Sequence, residues 1–221
     1  MNKPLVIFGT GDIAQLAHFY FTRDSSHTVA AFTVDAAWMP GFTHSSTFCG
    51  LPVVAFEQLS TLYPPETYDL FIALGYKNLN QLRREKYLSA KAKNYRLASY
   101  LSSRAVLLND GDIGDNCFIL ENTIVQPFAS IGNNVTLWSG CIVGHHSIVR
   151  DHCFLSSCGV AGRVDVGEAC FIGGYAVLRD HIRVGPRCVI GAGTLLLADA
   201  KPEGVYMGTA SERWSLPSRQ G

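Results

Sequence analysis

Val143-Gly144-His145-His146-Ser147-Ile148-Val149-Arg150-Asp151-His152-Cys153-Phe154-Leu155 is the stretch that decides the fold. Val143, Val149 and Leu155 recur every six residues, and small Ser147 and Cys153 follow the first two at a spacing of four. The same aliphatic position runs back through Leu137, Ile131, Val125, Ile119 and Ile113 to Leu107. Going forward it slips by one residue and resumes at Val160, Val166, Ile172, Leu178, Val184, Ile190 and Leu196. Six fits neither a helix at about 3.6 nor a strand at two. It fits a hexapeptide parallel β-helix, in which each repeat supplies one short strand and one turn.

Three hexads close one triangular coil, and stacked coils bury a continuous core that no single coil could bury alone. The small residues keep the corners from overfilling. Glycine often follows the aliphatic, as at Gly114, Gly132, Gly144, Gly167, Gly173, Gly185 and Gly191; it is expected to relieve a tight backbone there. The slip between Leu155 and Val166 predicts a shortened or distorted turn, either near a functional surface or as a local bulge.

The first hundred residues read differently. Leu5–Phe8, Val29–Val34 and Tyr68–Leu74 are strand-like, with Gly50–Val54 as a short extended piece and Arg96–Leu101 as a final strand. Helices are expected near 12–21, 57–62 and 78–94. Alternation of this kind implies a small parallel, Rossmann-like sheet with right-handed crossovers. Residues 1–103 therefore form an α/β domain and 104–221 the β-helix, with Ser211–Gly221 as an extended tail. The turn Gly9-Thr10-Gly11-Asp12 between strand and helix would bring backbone N–H groups against a phosphate. Asp35, ending the second strand, is placed to hold a ribose hydroxyl. A tight structural turn would want glycine as well, and a nicotinamide role is disfavoured because a two-halved dinucleotide domain does not fit before the repeats.

Lysine plus arginine equals aspartate plus glutamate at 18 each, so net charge gives no reason to expect nucleic acid or an anionic membrane. Charged residues are scarce at 16%, which suits a β-helix partly covered by other subunits. No basic–apolar leader and no apolar span near twenty residues is read, so a cytoplasmic protein without membrane insertion is expected. Cys117, Cys141, Cys153, Cys170 and Cys188 hold the small inward position, where a free cysteine behaves as a small hydrophobe. Cys49 and Cys158 stand outside it, and no C-x-x-C spacing occurs. His145 and His146 occupy the two variable turn positions after Val143-Gly144. They read either as solvated turn residues or as a site holding a general base near neutrality.

Taken together, the glycine turn, Asp35, Ile72-Ala73-Leu74-Gly75, Val143–Ile148, Cys170-Phe171-Ile172-Gly173 and Ile190–Thr194 carry a resemblance. The chain resembles the hexapeptide-repeat sugar acyltransferases with a small nucleotide-binding domain in front, the group of the bacillosamine and perosamine N-acetyltransferases and the sialic acid O-acetyltransferases. The resemblance implies a left-handed β-helix, a homotrimer, and acetyl-coenzyme A as acyl donor lying between subunits. It implies His145 as general base toward a nucleotide-linked amino sugar that feeds surface polysaccharide. Carried over by position, Gly162, Gly174, Ala192 and Phe154 lie near the cofactor, and Thr10, Gly11, Asp12, Asp35, Gly75 and Tyr76 near the nucleotide.

Two departures stand out. His146 holds a place that is often acidic in the group, so Asp151 or Glu121 is expected to orient His145. Phe154 stands where a second histidine is usual, with His152 close by. No metal is expected: the same fold hosts zinc carbonic anhydrases, but a third ligand after His181 is missing. Transfer to a sugar hydroxyl and a non-catalytic nucleotide-binding scaffold remain the alternatives.

Overall fold

Strand–helix alternation ends near residue 100 in the computed structural model, which describes residues 3–39 and 47–210. The N-terminal elements are β1 (Leu5–Phe8), α1 (Asp12–Arg23), β2 (Val29–Val34), β3 (Thr47–Phe48), β4 (Leu51–Ala55), α2 (Leu59–Leu62), β5 (Asp69–Ile72) and α3 (Gln81–Ala92). They build a sheet in the order β3-β4-β2-β1-β5. All its pairings are parallel except the β3–β4 edge, an antiparallel hairpin. Every residue of β1 and β5 is buried, as expected of strands covered on both faces. Ala14, Ala17 and Phe21 form the buried stripe of α1 at helical spacing.

Two boundaries differ from the sequence reading. Helix α3 starts at Gln81 rather than Asn78, because Asn78, Leu79 and Asn80 take φ of 51°, 50° and 66°. Such left-handed backbone costs about 1–2 kcal/mol per residue. It is offset by what Asn80 gains: its Nδ2 donates to the Cys170 carbonyl at 3.1 Å and its Oδ1 accepts from Arg83 at 2.9 Å. The strand expected over 96–101 is divided. Leu97 bridges Leu70 of the α/β sheet, whereas Tyr100–Leu101 pairs with Phe118–Ile119 and opens the β-helix.

The hexads form a three-sided prism, a left-handed parallel β-helix. The first face stacks seven strands, from Tyr100–Leu101 through Phe118–Ile119, Phe154–Leu155 and Phe171–Ile172 to Val205–Tyr206. The second stacks six, among them Ile142–Val143, Gly159–Val160 and Val177–Leu178. The third stacks four, including Ile148–Val149 and Asp165–Val166. The inward aliphatics and the small corner residues, five of the cysteines among them, are buried in one column. Each large aliphatic contributes about 1.5–3 kcal/mol of transfer free energy.

The corner glycines act for a different reason than expected. The left-handed residues sit two positions further on, at Phe128, His146, Arg163 and His181 in the column that includes Gly144. Gly144 itself is glycine because a Cβ there would lie 2.5 Å from the Ala161 carbonyl carbon of the next coil. The slip is a shortened turn between the first and second faces: Phe154 pairs with Phe171, seventeen on, where Thr136 pairs with Phe154, eighteen on. Ser157 is left-handed at φ 44° and Cys158 is buried, so Cys158 joins the filler cysteines. The tail read for Ser211–Gly221 lies outside the described residues.

The α/β domain docks on the first face. Phe71 meets Phe118 at 5.5 Å, and Tyr76 meets Phe154 and Phe171 at 5.0 and 4.5 Å. Arg83 is sunk in this interface at 1% exposure. It donates to the Asn134, His152 and Cys153 carbonyls, to Thr136 Oγ1 and to Asn80 Oδ1. Burial pulls its pKa down to about 10, so it remains a cation at neutrality. Beside it the Ile72 N–H donates to Asn116 Oδ1, Asn116 Nδ2 to Asn134 Oδ1, and Asn134 Nδ2 to His152 Nδ1, at 2.8, 2.8 and 2.9 Å. That chain starts at a backbone donor and so assigns His152 Nδ1 as acceptor. Burial lowers the pKa of His152 in the same sense.

Candidate active site

His145 and His146 stand exposed at the corner between the second and third faces. In a three-sided prism this is the edge opposite the first face, hence the edge remote from the chain's own α/β domain. The His145 N–H donates to Gln126 Oε1 at 2.9 Å. Its ring lies over Gly162, where a Cβ would fall 2.6 Å from both Cε1 and Nε2. The glycine at 162 is thus the seat of the His145 ring. His145 Nδ1 lies 3.1 Å from His146 Nδ1, with the rings nearly perpendicular at 88°. The His146 ring in turn lies 4.8 Å from that of Phe128, tilted by 38°. The His146 pKa is lowered by partial desolvation, then by the Arg163 guanidinium and by His145.

Neither expected carboxylate reaches His145 within the chain. Asp151 lies at the corner between the third and first faces and accepts from the Asn133 N–H at 2.8 Å. Glu121 lies between the first and second faces and accepts from Tyr20 Oη and Ser139 Oγ, both at 2.9 Å. Corners repeat at the coil period, so neither residue falls in the column of Gln126, His145 and Gly162. Phe154 is also apart from His145. It is buried in the domain interface between Trp138 and Phe171 at 6.0 Å each. Gly174 and exposed Ala192 border the other edge of the second face. Between the two edges run Ile142, Gly159, Val177 and Leu195, an outward apolar strip interrupted by one glycine.

A second site lies in the α/β domain, where a cavity of about 240 Å³ opens at the carboxyl ends of β1, β2 and β5. Gly9, Thr10, Asp35 and Trp38 line it, with Leu74, Leu82 and Lys86 from the opposite side. The two glycines of the turn have different reasons. Gly9 has φ +120°, and a Cβ would meet the Ala73 carbonyl oxygen at 2.9 Å, so its role is structural. A Cβ on Gly11, the N-cap of α1, would meet nothing within 4 Å. The fold does not demand glycine there; an approaching ligand would. Gly75 has similar room, its nearest neighbour being Ile13 Cγ1 at 4.0 Å. Asp35 is paired with Lys86 at 2.6 Å. Asp12 is exposed in the first turn of α1. Tyr76 is half exposed over the Phe154 and Phe171 rings.

Sequence reading missed Lys86, Trp38, Gln126 and Phe128. The last two were accessible, because the residue eighteen before His146 is Phe128 and stacked coils must place them together. Lys86 and Trp38 come from elements whose packing no local pattern announces. Among the described residues no group of three or more His, Cys, Asp or Glu is set to hold a metal. None of the described helices is long and apolar enough to cross a membrane.

Residues 111–145 and 163–198 match the family model for the bacterial transferase hexapeptide, six repeats. The chain is similar in structure to a His-to-Asn mutant of perosamine N-acetyltransferase from Caulobacter crescentus in complex with CoA and GDP-perosamine. The match has a TM-score of 0.82 at 24% identity over 93% of each chain. It is also similar to the acetyltransferase domain of PglB from Neisseria gonorrhoeae in complex with acetyl coenzyme A, with TM-score 0.81 at 20% identity over 94% of this chain and 97% of that one. WeeI from Acinetobacter baumannii matches at 0.77 and 18% identity, over 93% and 96%. The likeness spans both domains and establishes the shared fold.

Proposed function

We propose that the chain, which carries the repeats of the bacterial hexapeptide transferases behind an α/β domain, is an acetyl-coenzyme A-dependent N-acetyltransferase of a nucleotide-linked amino sugar. The observation carrying this reading is His145, an open imidazole seated on Gly162 at a corner of a prism whose structural relatives include CoA-bound acetyltransferases. Its Nε2 takes the proton of the sugar amine as the nitrogen attacks the thioester carbonyl. The tetrahedral adduct expels the thiolate, which recovers that proton, so no covalent enzyme intermediate forms. An amine suits the site better than a hydroxyl, since among the described residues no carboxylate bonds the His145 ring and amines ask less of a base.

The nucleotide belongs in the 240 Å³ cavity, its phosphate against the Gly11 end of α1 and its ribose toward Asp35 and Lys86. That cavity and His145 lie on opposite sides of one prism. A sugar held by one α/β domain therefore reaches the His145 of a neighbouring subunit in a homotrimer, which is also what would cover the apolar strip on the second face. The thioester would lie along that strip, between Gly162 on one edge and Gly174 and Ala192 on the other.

The test is thiol release from acetyl-coenzyme A with a panel of nucleotide-linked sugars, amino and hydroxyl. Release that requires an amino sugar supports the reading. Release only with hydroxyl sugars moves it to O-acetylation, and none with any acceptor leaves the scaffold alternative. A second expectation concerns Gly11→Thr. Threonine caps a helix about as well as glycine, so the melting temperature should hold. Its side chain fills the approach to the helix end, so the KM for the sugar donor should rise about 10-fold, the equivalent of about 1.4 kcal/mol, with the KM for acetyl-coenzyme A unchanged. An unchanged sugar KM would remove the phosphate from this turn.

A further inference from the structure

The second imidazole of the corner has a role of its own. A contact of 3.1 Å between His145 Nδ1 and His146 Nδ1 requires one nitrogen to carry hydrogen and the other to be bare. The choice decides whether His145 can act. If His145 donates, its Nε2 is unprotonated and can accept a proton from the substrate. If His146 donates, Nε2 of His145 carries the hydrogen and the base is disabled.

We infer that His146 is the positioning residue of the base: as a neutral acceptor it holds His145 in the Nδ1–H tautomer that leaves Nε2 bare. The inference rests on the reading of His145 as general base. Four features of the corner support it. His146 is fixed in the left-handed conformation at φ 59°. Its ring is backed by Phe128, itself left-handed at φ 65° and 71% exposed. The Arg163 guanidinium on the next coil opposes a proton on His146. The His145 ring lies with its face over Gly162, which limits its rotation and keeps Nδ1 toward His146.

The charged surroundings agree with a neutral His146. The cavity beneath it is lined by Arg163, Asp165, His181 and Arg183. Its one carboxylate, Asp165, is taken by Arg150 through two contacts of 2.9 Å. The part often played by an acidic side chain thus falls to an uncharged acceptor, one that a proton would turn into a competing donor.

The experiment is nitrogen-15 NMR of the histidine-labelled full-length protein, combined with steady-state kinetics, for the native chain, His146→Leu and His146→Asn. The native spectrum should show His145 with Nε2 unprotonated and Nδ1 protonated, and His146 with the reverse. His146→Leu should release His145 into a mixture of tautomers and lower kcat about 10-fold, the population effect of one lost hydrogen bond, with both KM values unchanged. His146→Asn keeps an acceptor oxygen and should restore both the tautomer and most of kcat. A native His145 protonated at Nε2, or a His146→Leu protein with native tautomer and rate, overturns the inference. The tautomers are read without substrate, so failure of the base assignment itself would show separately, as full activity in His145→Ala.

Discussion

Turnover of His145→Ala is expected to fall about 100-fold or more, the usual size of a general-base effect, while the protein folds as before. The expectation of a sound fold comes from the corner itself. His145 is exposed, its ring rests on a glycine, and its backbone N–H to Gln126 survives the change. The inward column is untouched, since Val143 and Ser147 on either side are the residues that bury. Both KM values should change little, since the proposed reading assigns the nucleotide to the α/β cavity and most of the donor's contacts to the apolar strip. A near-native rate in the variant would remove His145 from the chemistry and leave positioning alone to account for catalysis. A fall in stability would instead mean that the ring, by covering Gly162, is part of the fold.

Arg83→Met is expected to destabilise the protein by about 4 kcal/mol, a loss at the high end for a single substitution. Two effects compete. Relieving a buried charge is favourable, and the depressed pKa of Arg83 shows that its burial has a cost. Against this, the Asn134 and His152 carbonyls, the Thr136 hydroxyl and the Asn80 amide oxygen would lose their donor in a buried interface, while the Cys153 carbonyl keeps the Thr136 N–H. Each acceptor left unsatisfied costs about 1–3 kcal/mol, so the losses win. Methionine matches the stem and isolates the lost hydrogen bonds. Arg83→Lys, which keeps the charge but lacks the planar fork, should fall between. Urea unfolding of the three proteins checks the order. A methionine variant as stable as the native chain would show that desolvation of the guanidinium cancels its contacts, and that the aromatic packing of Phe71, Phe118 and Tyr76 holds the domains together.

The repeats were legible because a β-helix is nearly one-dimensional: each strand pairs with the residue one coil away, so burial writes a simple period into the chain. Val143, Val149 and Leu155 report their places without any knowledge of distant residues. Asp35 and the glycine turn were legible for a similar reason, since a strand–turn–helix unit is local. The divided segment at 96–101 was not. Its residues suit a strand throughout, and which sheet each half joins depends on the approach of Phe118. The left-handed start of α3 was hidden too, because Asn80 accepts that conformation for the sake of Arg83 and the Cys170 carbonyl ninety residues on.

At the candidate site the division is sharper. The chain alone determined the prism, the corner that presents His145 and His146, and the glycine turn between strand and helix, because periodicity and local turn chemistry need no partner. The same count puts Asp151 and Glu121 at other corners, and only the tertiary structure decided that Phe154 is buried under the α/β domain and that Gly162 seats a ring. It also decided that His146 is the neighbour His145 meets. Which side chains face one another across coils and across domains is fixed by stacking and docking, and a linear pattern carries that information only where the coil period can be counted without interruption.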